Sequence, residues 1–296
     1  MLSHRLLLGP VFIAVIALLG WLDGAIESAP APEWLRPLFA GRDTVPPGVV
    51  VFLSLLAIGV VGATELGAMA RKRGSRVGAF GMALCATLGL VGVVVPPEAL
   101  ADGAGGSTVA TGAALTLVVA LLAHARVRAT EGAMQSVGAA ALAFAWLGVA
   151  PAFYVLMRRE HAVEVVIGAV LLVKVCDIGA YFTGLSIGKR KLIPWLSPGK
   201  TWEGLVGGCV WAAVAGALLA LAVGDPSPVS PAQAALAGAL LGLAGQGADL
   251  FESLLKRDAG VKDSGRVPGF GGVLDLIDSP LLAAPVAYWT FHLLGT

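Results

Sequence analysis

The chain has 296 residues, of which 57% are hydrophobic and only 13% are charged, and its formal net charge is +1. Soluble domains carry about 25% charged residues, so this composition is typical of an integral membrane protein. The near-neutral charge argues against a nucleic-acid partner, which would require a basic excess. The three cysteines stand singly in apolar runs and indicate neither a metal site nor a disulfide.

Apolar stretches of about 20 residues are long enough to cross a bilayer. They predict an all-α, polytopic integral membrane protein with about nine transmembrane helices, near residues 6–22, 48–69, 77–95, 106–124, 133–156, 163–187, 204–223, 232–252 and 273–294. The first stretch lacks a clear cleavage site, so we interpret it as a retained helix and not as a signal sequence. We expect N-terminal transmembrane helices in residues 1–160 and a C-terminal catalytic region in residues 161–296.

Lysine and arginine alternate in abundance along the predicted loops, and the positive-inside rule assigns the basic loops to the cytoplasm. Basic clusters follow the second, fourth, sixth and eighth stretches. The intervening loops hold few basic residues, and the weakest point of the alternation is the pair Arg158 and Arg159, which Glu160 offsets in part. We therefore expect a cytoplasmic N-terminus, an opposite C-terminus, and a cytoplasmic active site in the cell inner (plasma) membrane.

Charged residues concentrate between Asp249 and Ser279, a segment flanked by apolar stretches. Ionisable groups near lipid are costly unless they pair, bind ions or line a wet cavity. One helix face carries Asp249, Glu252, Ser253 and Lys256. The next predicted helix carries Asp275 and Asp278 one turn apart. Carboxylates from two helices suit Mg²⁺, especially when phosphates complete its ligands, so we predict a metal site at Asp249, Asp275 and Asp278, and a second metal ion stays open.

A second polar segment lies upstream, where Asp177 sits inside an apolar run with Lys174 and Tyr181 on the same helix face. A self-neutralising Lys174–Asp177 pair is one interpretation. The wall of an active-site cavity is favoured, because ionisable groups inside membranes are usually functional. Asp177 and Tyr181 are therefore candidate substrate-binding residues. Glu65, in the second stretch, is either an accessory site residue or a hydrogen-bond partner between helices.

The segment Ser197-Pro198-Gly199-Lys200-Thr201 supplies a lysine, two hydroxyls and a glycine turn just before a predicted helix. Free N–H groups at a helix start favour phosphate, and Lys200 adds a positive point charge. It is not a Walker loop, which requires a different spacing after a strand. An ordinary turn with an ordinary cytoplasmic lysine remains the alternative to a site formed by Ser197, Lys200 and Thr201.

At these residues the chain resembles the phosphatidate cytidylyltransferase family, also called CDP-diglyceride synthetases. The family signature S-x-x-K-R-x-x-x-x-K-D-x-G, followed by P-G-H-G-G and D-R-x-D, is matched at Ser253, Lys256, Arg257, Lys262, Asp263, Gly265, Pro268, Gly269, Gly271, Gly272, Asp275 and Asp278. Asp249 and the segments around Asp177 and Lys200 also resemble the family. Phe270 replaces the usual histidine and Leu276 the usual arginine, and Arg266 could supply one of the missing charges.

The resemblance implies transfer of CMP from CTP to phosphatidic acid, giving CDP-diacylglycerol and pyrophosphate with Mg²⁺. Nucleotidyl transfer depends mainly on positioning and charge neutralisation. A phosphate nucleophile is already ionised, so the missing histidine is tolerable. The implied catalytic residues are Lys200, Lys256, Arg257, Lys262 and Asp263, and the implied hydroxyl and backbone donors to substrate are Ser197, Thr201, Ser264, Gly269, Gly271 and Gly272.

The implied partners are CTP, phosphatidic acid and the lipid bilayer, and a homodimer is left open. One alternative is a CTP-dependent enzyme acting on another membrane lipid, either a polyprenol-type kinase or an ether-lipid cytidylyltransferase. Another is an ion-coupled transporter that uses Asp177 and Glu65. Transporters usually build such sites from paired repeats, and we find no internal repeat in the sequence.

Overall fold

The computed structural model describes residues 2–34, 36–39, 41–95, 105–223, 229–265 and 271–294. Its helices are α1 (Leu2–Ile26), α2 (Val49–Lys72), α3 (Ala79–Val94), α4 (Gly105–Ala125), α5 (Ala133–Leu142), α6 (Ala150–Glu160), α7 (Val163–Ile187), α8 (Trp202–Val223), α9 (Pro231–Asp258) and α10 (Leu274–Leu293). A short 3-10 turn covers Arg36–Phe39, and a π-helical segment, Ala143–Val149, joins α5 to α6. The described residues are thus nearly all helical, as predicted.

Among the described residues, six helical segments are long and apolar enough to cross a membrane. They are Val49–Lys72, Thr108–Ala125, Ala133–Glu160, Val163–Ile187, Trp202–Val223 and Pro231–Asp258. Two further apolar helical segments, Ala14–Ile26 within α1 and Ala79–Val94 (α3), are shorter. The polytopic membrane architecture is confirmed, whereas the expected count of about nine spans is not.

The chain forms two compact units, and the first comprises Met1–Val163 together with Asp263–Asp275. Within it, α3 packs against α2, α4 and the π-helical segment. The approach to the π-helical segment is so close that a Cβ atom on Gly89 would collide with the carbonyl oxygen of Phe144. Small residues permit this contact, as is usual where membrane helices pack closely.

A buried ion pair connects three helices of the first unit. The Arg158 guanidinium of α6 donates to Asp23 of α1 at 2.7 Å and to Glu27 at 2.5 Å. The Asp23 carboxylate also accepts the backbone N–H groups of Gly48 and Val50, at 3.2 and 3.0 Å, where α2 begins. Arg158 is therefore neutralised by Asp23 and Glu27. Because its charge is neutralised inside the protein, Arg158 can lie in a region where the alternation of loop charges predicts few basic residues. Glu160 alone was expected to offset this charge in part.

The second unit comprises Glu164–Lys262 and Leu276–Thr296. Its helices α8 and α9 pack so closely that a Cβ atom on Gly238 would meet the carbonyl oxygen of Ala212. Before α8 the chain forms an antiparallel hairpin of β1 (Lys191–Ile193) and β2 (Ser197–Thr201). The sequence predicted a glycine turn at these residues, whereas the structure has them in strand β2 of the hairpin. Pro198 is tolerated because both strands of a two-stranded ribbon are edge strands.

Two side chains connect the hairpin to the start of α8. The Thr201 hydroxyl accepts the backbone N–H of Gly204 at 3.0 Å, which caps the helix. The Glu203 carboxylate accepts the backbone N–H groups of Lys189 and Arg190 at 3.1 Å. These bonds fix β2 relative to α8, and β2 carries Lys200.

Candidate active site

Three carboxylates of the second unit converge, and we call Asp249, Glu252 and Asp278 the carboxylate cluster. The first two lie one turn apart on α9, and the third comes from α10. One oxygen atom from each lies within 4.8 Å of the others. Glu252 is fully buried and Asp278 is 4% exposed, whereas the Asp249 side chain is 34% exposed. Like charges gathered in a buried place are strongly unfavourable unless cations compensate them.

Two lysines compensate part of this charge. Lys200 Nζ lies 2.7 Å from Asp249 Oδ2, and Lys256 Nζ lies 2.7 Å from Glu252 Oε2. Asp278 has no lysine or arginine within ion-pair distance among the described residues, and its Oδ1 accepts the backbone N–H of Ser279 at 2.6 Å. The cluster therefore keeps a negative charge without a paired cation. Its buried oxygen donors fit a hard divalent cation such as Mg²⁺.

A chain of polar contacts leads from α7 to the lysine on β2. Lys174 Nζ lies 3.5 Å from Asp177 Oδ2, and Asp177 Oδ1 accepts a hydrogen bond from Gln246 Nε2 at 2.9 Å. The Gln246 side-chain oxygen in turn accepts from Lys200 Nζ at 2.9 Å. Both the amide and the carboxylate of α9 thus hold the Lys200 ammonium beside the carboxylate cluster. Asp177 belongs to this chain of contacts, so it is more than a self-neutralising pair with Lys174.

The remaining predicted residues differ in their exposure. Tyr181 is 66% exposed and packs edge to face against Phe182. Thr201 is buried as the cap of α8, and Ser197 on β2 is half-buried. Arg257, Lys262 and Asp263 are exposed near the end of α9. Gly269 lies outside the described residues, as do Arg266, Pro268 and Phe270. The catalytic roles predicted for Arg257, Lys262 and Asp263, and the substrate-binding roles predicted for the others, stay predictions.

Asp275, predicted as a metal ligand, belongs to the first unit and makes different contacts. Its Oδ2 atom accepts the backbone N–H groups of Ser264 and Gly272 at 2.8 and 2.7 Å, and the Ser264 hydroxyl at 2.8 Å. The predicted metal ligands were Asp249, Asp275 and Asp278. The carboxylate cluster found among the described residues contains Glu252 and does not contain Asp275. The backbone donor of Gly272 is likewise occupied by Asp275, although it was expected to face substrate.

Two residues that take part in these contacts, Glu252 and Gln246, were not predicted from the sequence as candidate site residues. Glu252 was recognised on the face of α9 but was not proposed as a ligand, and Gln246 was not considered. A signal for both exists, because Gln246, Asp249 and Glu252 follow one another at intervals of three residues. That spacing keeps them on one side of a helix.

Comparison with known proteins adds an independent finding. Residues 38–294 match the profile of the cytidylyltransferase family. Uncharacterized protein YnbB of Escherichia coli is 46% identical over 114 residues, 38% of this chain and 37% of that protein. Phosphatidate cytidylyltransferase of Bacillus subtilis is 37% identical over 183 residues, 61% of this chain and 67% of the relative. The enzyme of that name from Haemophilus influenzae is 40% identical over 141 residues, 45% of this chain and 48% of the relative. The chain thus spans about half the length of the curated relatives it matches.

Proposed function

Because the chain belongs to the cytidylyltransferase family, as its resemblance predicted, we propose that it transfers CMP from CTP to phosphatidic acid. The relatives from Bacillus subtilis and Haemophilus influenzae are named for this reaction. The observation that carries the proposal is the carboxylate cluster, in which two of the three carboxylates pair with lysines. Metal-binding carboxylates beside ammonium groups are what a triphosphate requires.

The residues that would hold Mg²⁺ are Asp249, Glu252 and Asp278. A cation held by these carboxylates would supply positive charge to offset that of the CTP phosphates and of the departing pyrophosphate. The fit rests on three carboxylate oxygens within 4.8 Å of one another and on the charge of Asp278, a buried residue without an ion-pair partner among the described residues. Asp275 is not included, because its carboxylate oxygen already accepts backbone and hydroxyl donors.

Lys200 and Lys256 would bind the phosphates of CTP. Each ammonium group lies 2.7 Å from a carboxylate of the cluster, so phosphates that enter beside the carboxylates meet both positive charges. Gln246 accepts a hydrogen bond from Lys200, and Asp177 accepts one from the Gln246 amide. Together they would keep the Lys200 ammonium group beside the carboxylate cluster. Arg257 and Lys262, which are exposed beyond the cluster, would add positive charge at the entrance for an anionic substrate.

In the reaction, an oxygen of the phosphatidic acid phosphate forms a bond to the α-phosphorus of CTP. The bond from that phosphorus to the oxygen bridging the α- and β-phosphorus atoms breaks, and pyrophosphate leaves with the electron pair. The lipid phosphate is ionised at neutral pH, so no side chain has to remove a proton. A site with Phe270 in place of the family histidine would therefore still support the reaction.

We also propose that the chain crosses the inner (plasma) membrane about nine times with a cytoplasmic N-terminus. The hairpin at 188–202 and the end of α9 would then both face the cytoplasm, where CTP is dissolved. Both segments are basic, as cytoplasmic segments usually are. Cysteine labelling from the two sides of the membrane tests this assignment.

The proposed reaction is tested with the purified full chain in detergent, supplied with Mg²⁺, labelled CTP and phosphatidic acid. We expect CDP-diacylglycerol and pyrophosphate in equal amounts. Asp278→Asn is the matched control, because a contaminating enzyme would be insensitive to it. Release of CDP without pyrophosphate would show a lipid kinase instead. Product with an ether or polyprenyl phosphate but none with phosphatidic acid would refute the proposed substrate.

A further inference from the structure

Glu65 lies on α2, far in the chain from every motif of the site. It is a carboxylate in an otherwise apolar span, where an ionisable side chain needs a partner or a function. In the structure its carboxylate contacts Ser264, Val273 and Leu274, which belong to the same compact unit. We call the described residues 263–265 and 271–275 the motif segment, because they carry the signature glycines Gly265, Gly271 and Gly272.

Three donors of the motif segment point at Glu65. Oε1 accepts the backbone N–H of Val273 at 2.9 Å, and Oε2 accepts the backbone N–H of Leu274 at 2.9 Å. The Ser264 hydroxyl lies 2.9 Å from Oε2 and 2.8 Å from Asp275 Oδ2, so these two carboxylates share its single hydrogen. Leu274 is the first residue of α10. The first N–H groups of a helix have no acceptor inside it, so Glu65 caps α10 from a distant helix with a full negative charge, which the helix dipole favours.

The glycines of the motif segment are fitted to the same carboxylate. A Cβ atom on Gly265 would lie 2.5 Å from Glu65 Oε1, and one on Gly272 would lie 2.5 Å from Oε2. A side chain at either position would displace Glu65 or the backbone. Gly271 has a φ of +90°, and a Cβ there would lie 2.6 Å from Asp275 Oδ2. At Gly265, Gly271 and Gly272, the absence of a side chain is therefore explained by close contacts with Glu65, Asp275 and Ser264, without any phosphate.

We propose that Glu65 is a positioning residue for the reaction and that it fixes the motif segment. This proposal rests on the proposed function. The chain enters the segment from Lys262 and leaves it into the helix that carries Asp278, so the segment connects a phosphate-binding candidate to a metal-ligand candidate. Charge-assisted hydrogen bonds are strong and directional, which suits a carboxylate that must hold a glycine-rich segment in one conformation. The N–H groups of residues 273 and 274 serve this purpose and do not bind phosphate.

The test compares Glu65→Ala and Glu65→Gln with Asp23→Asn. Asp23 is a matched control, because it too is a carboxylate of the first unit that accepts backbone N–H groups at a helix start, where α2 begins. Misplacing reacting groups by about 1 Å can cost about 100-fold. We therefore expect kcat of Glu65→Ala to fall by about that factor. Glu65→Gln should recover part of it, since its amide oxygen still accepts hydrogen bonds.

The half-saturating Mg²⁺ concentration should stay within about twofold of wild type in both Glu65 variants, because the carboxylate cluster is untouched. Asp23→Asn should lose thermal stability and keep the kcat of its folded fraction. Wild-type kcat in Glu65→Ala would overturn the proposal. So would an equal loss of kcat in Asp23→Asn, which would reduce the effect to general loss of fold.

A second measurement does not depend on turnover. Hydrogen exchange of the peptide covering residues 263–275, without substrates, should be at least about tenfold faster in Glu65→Ala than in wild type, since bonds to a charged acceptor are lost. Unchanged exchange would refute the positioning role whatever the activity. If the wild-type protein makes no CDP-diacylglycerol while exchange still responds to Glu65, the proposed function fails and the fixing of the segment stands.

Discussion

Asp278→Asn separates metal binding from simple charge balance, because the two predict opposite effects on stability. Two unit charges 4.8 Å apart repel by about 3.5 kcal/mol at an effective dielectric constant of about 20. Asp278 has two such neighbours, Asp249 and Glu252, so without metal its charge costs about 7 kcal/mol before compensation. Lys200 and Lys256 pair with those neighbours and cancel much of this. A net cost on the order of a few kcal/mol remains.

The metal-free Asp278→Asn protein should therefore unfold several degrees above the metal-free wild type. Mg²⁺ should raise the unfolding temperature of the wild type and have little effect on the variant, because binding stabilises only a protein that has the site. Turnover should fall by at least about a thousandfold, since metal neutralisation is worth several kcal/mol in the transition state. Thermal unfolding in detergent across a Mg²⁺ titration, with parallel measurements of pyrophosphate release, checks all three expectations.

Asp258→Asn is the control, because Asp258 is the exposed last residue of α9 and lies outside the carboxylate cluster. It should change neither the Mg²⁺ response nor the turnover. The reasoning is refuted if metal-free Asp278→Asn is less stable than wild type, since the carboxylate would then be balanced by fixed positive charges. It is also refuted if Asp278→Asn keeps the wild-type Mg²⁺ titration and turnover.

Arg158→Met leaves the Asp23 carboxylate buried and unpaired, so the free energy of unfolding should fall by about 3 to 5 kcal/mol. Denaturation in detergent measures this, and a variant as stable as wild type would show that the pair contributes nothing. For the topology, cysteines introduced at Lys191 and Arg42, after replacement of the native cysteines, should be labelled from the cytoplasm and from the opposite side respectively. Labelling of both positions from one side would overturn the assigned orientation.

The carboxylate cluster shows how far helical spacing carries a prediction. Asp249 and Glu252 were placed together on one face of α9, and the structure has them there, because side chains three residues apart are neighbours on any helix. The same rule could not choose between Asp275 and Asp278. Asp278 belongs to the carboxylate cluster, whereas Asp275 accepts hydrogen bonds from the motif segment. This difference depends on which residues pack beside α10, and the helical spacing does not contain that information.

The hairpin before α8 was missed for a different reason. Strands are recognised by alternation over four to eight residues, and β1 and β2 have only three and five residues, with a proline and a glycine in the second. The contacts that hold them are also not local. Glu203 accepts hydrogen bonds from the backbone N–H groups of Lys189 and Arg190, which precede it by 14 and 13 positions. No short-range sequence pattern predicts such a bond.

The sequence by itself determined the membrane class, the helical elements, the family and the charged residues that are candidates to bind a phosphate or a metal ion. These follow from apolar length, helical period and motif spacing, which are properties of neighbouring residues. Only the tertiary structure decided the partner of each charge: Gln246 for Lys200, Asp23 for Arg158, and the motif segment for Glu65. The physical reason is that a single polar residue in an apolar span has no local partner. Its energy depends on which donor or acceptor folding brings beside it.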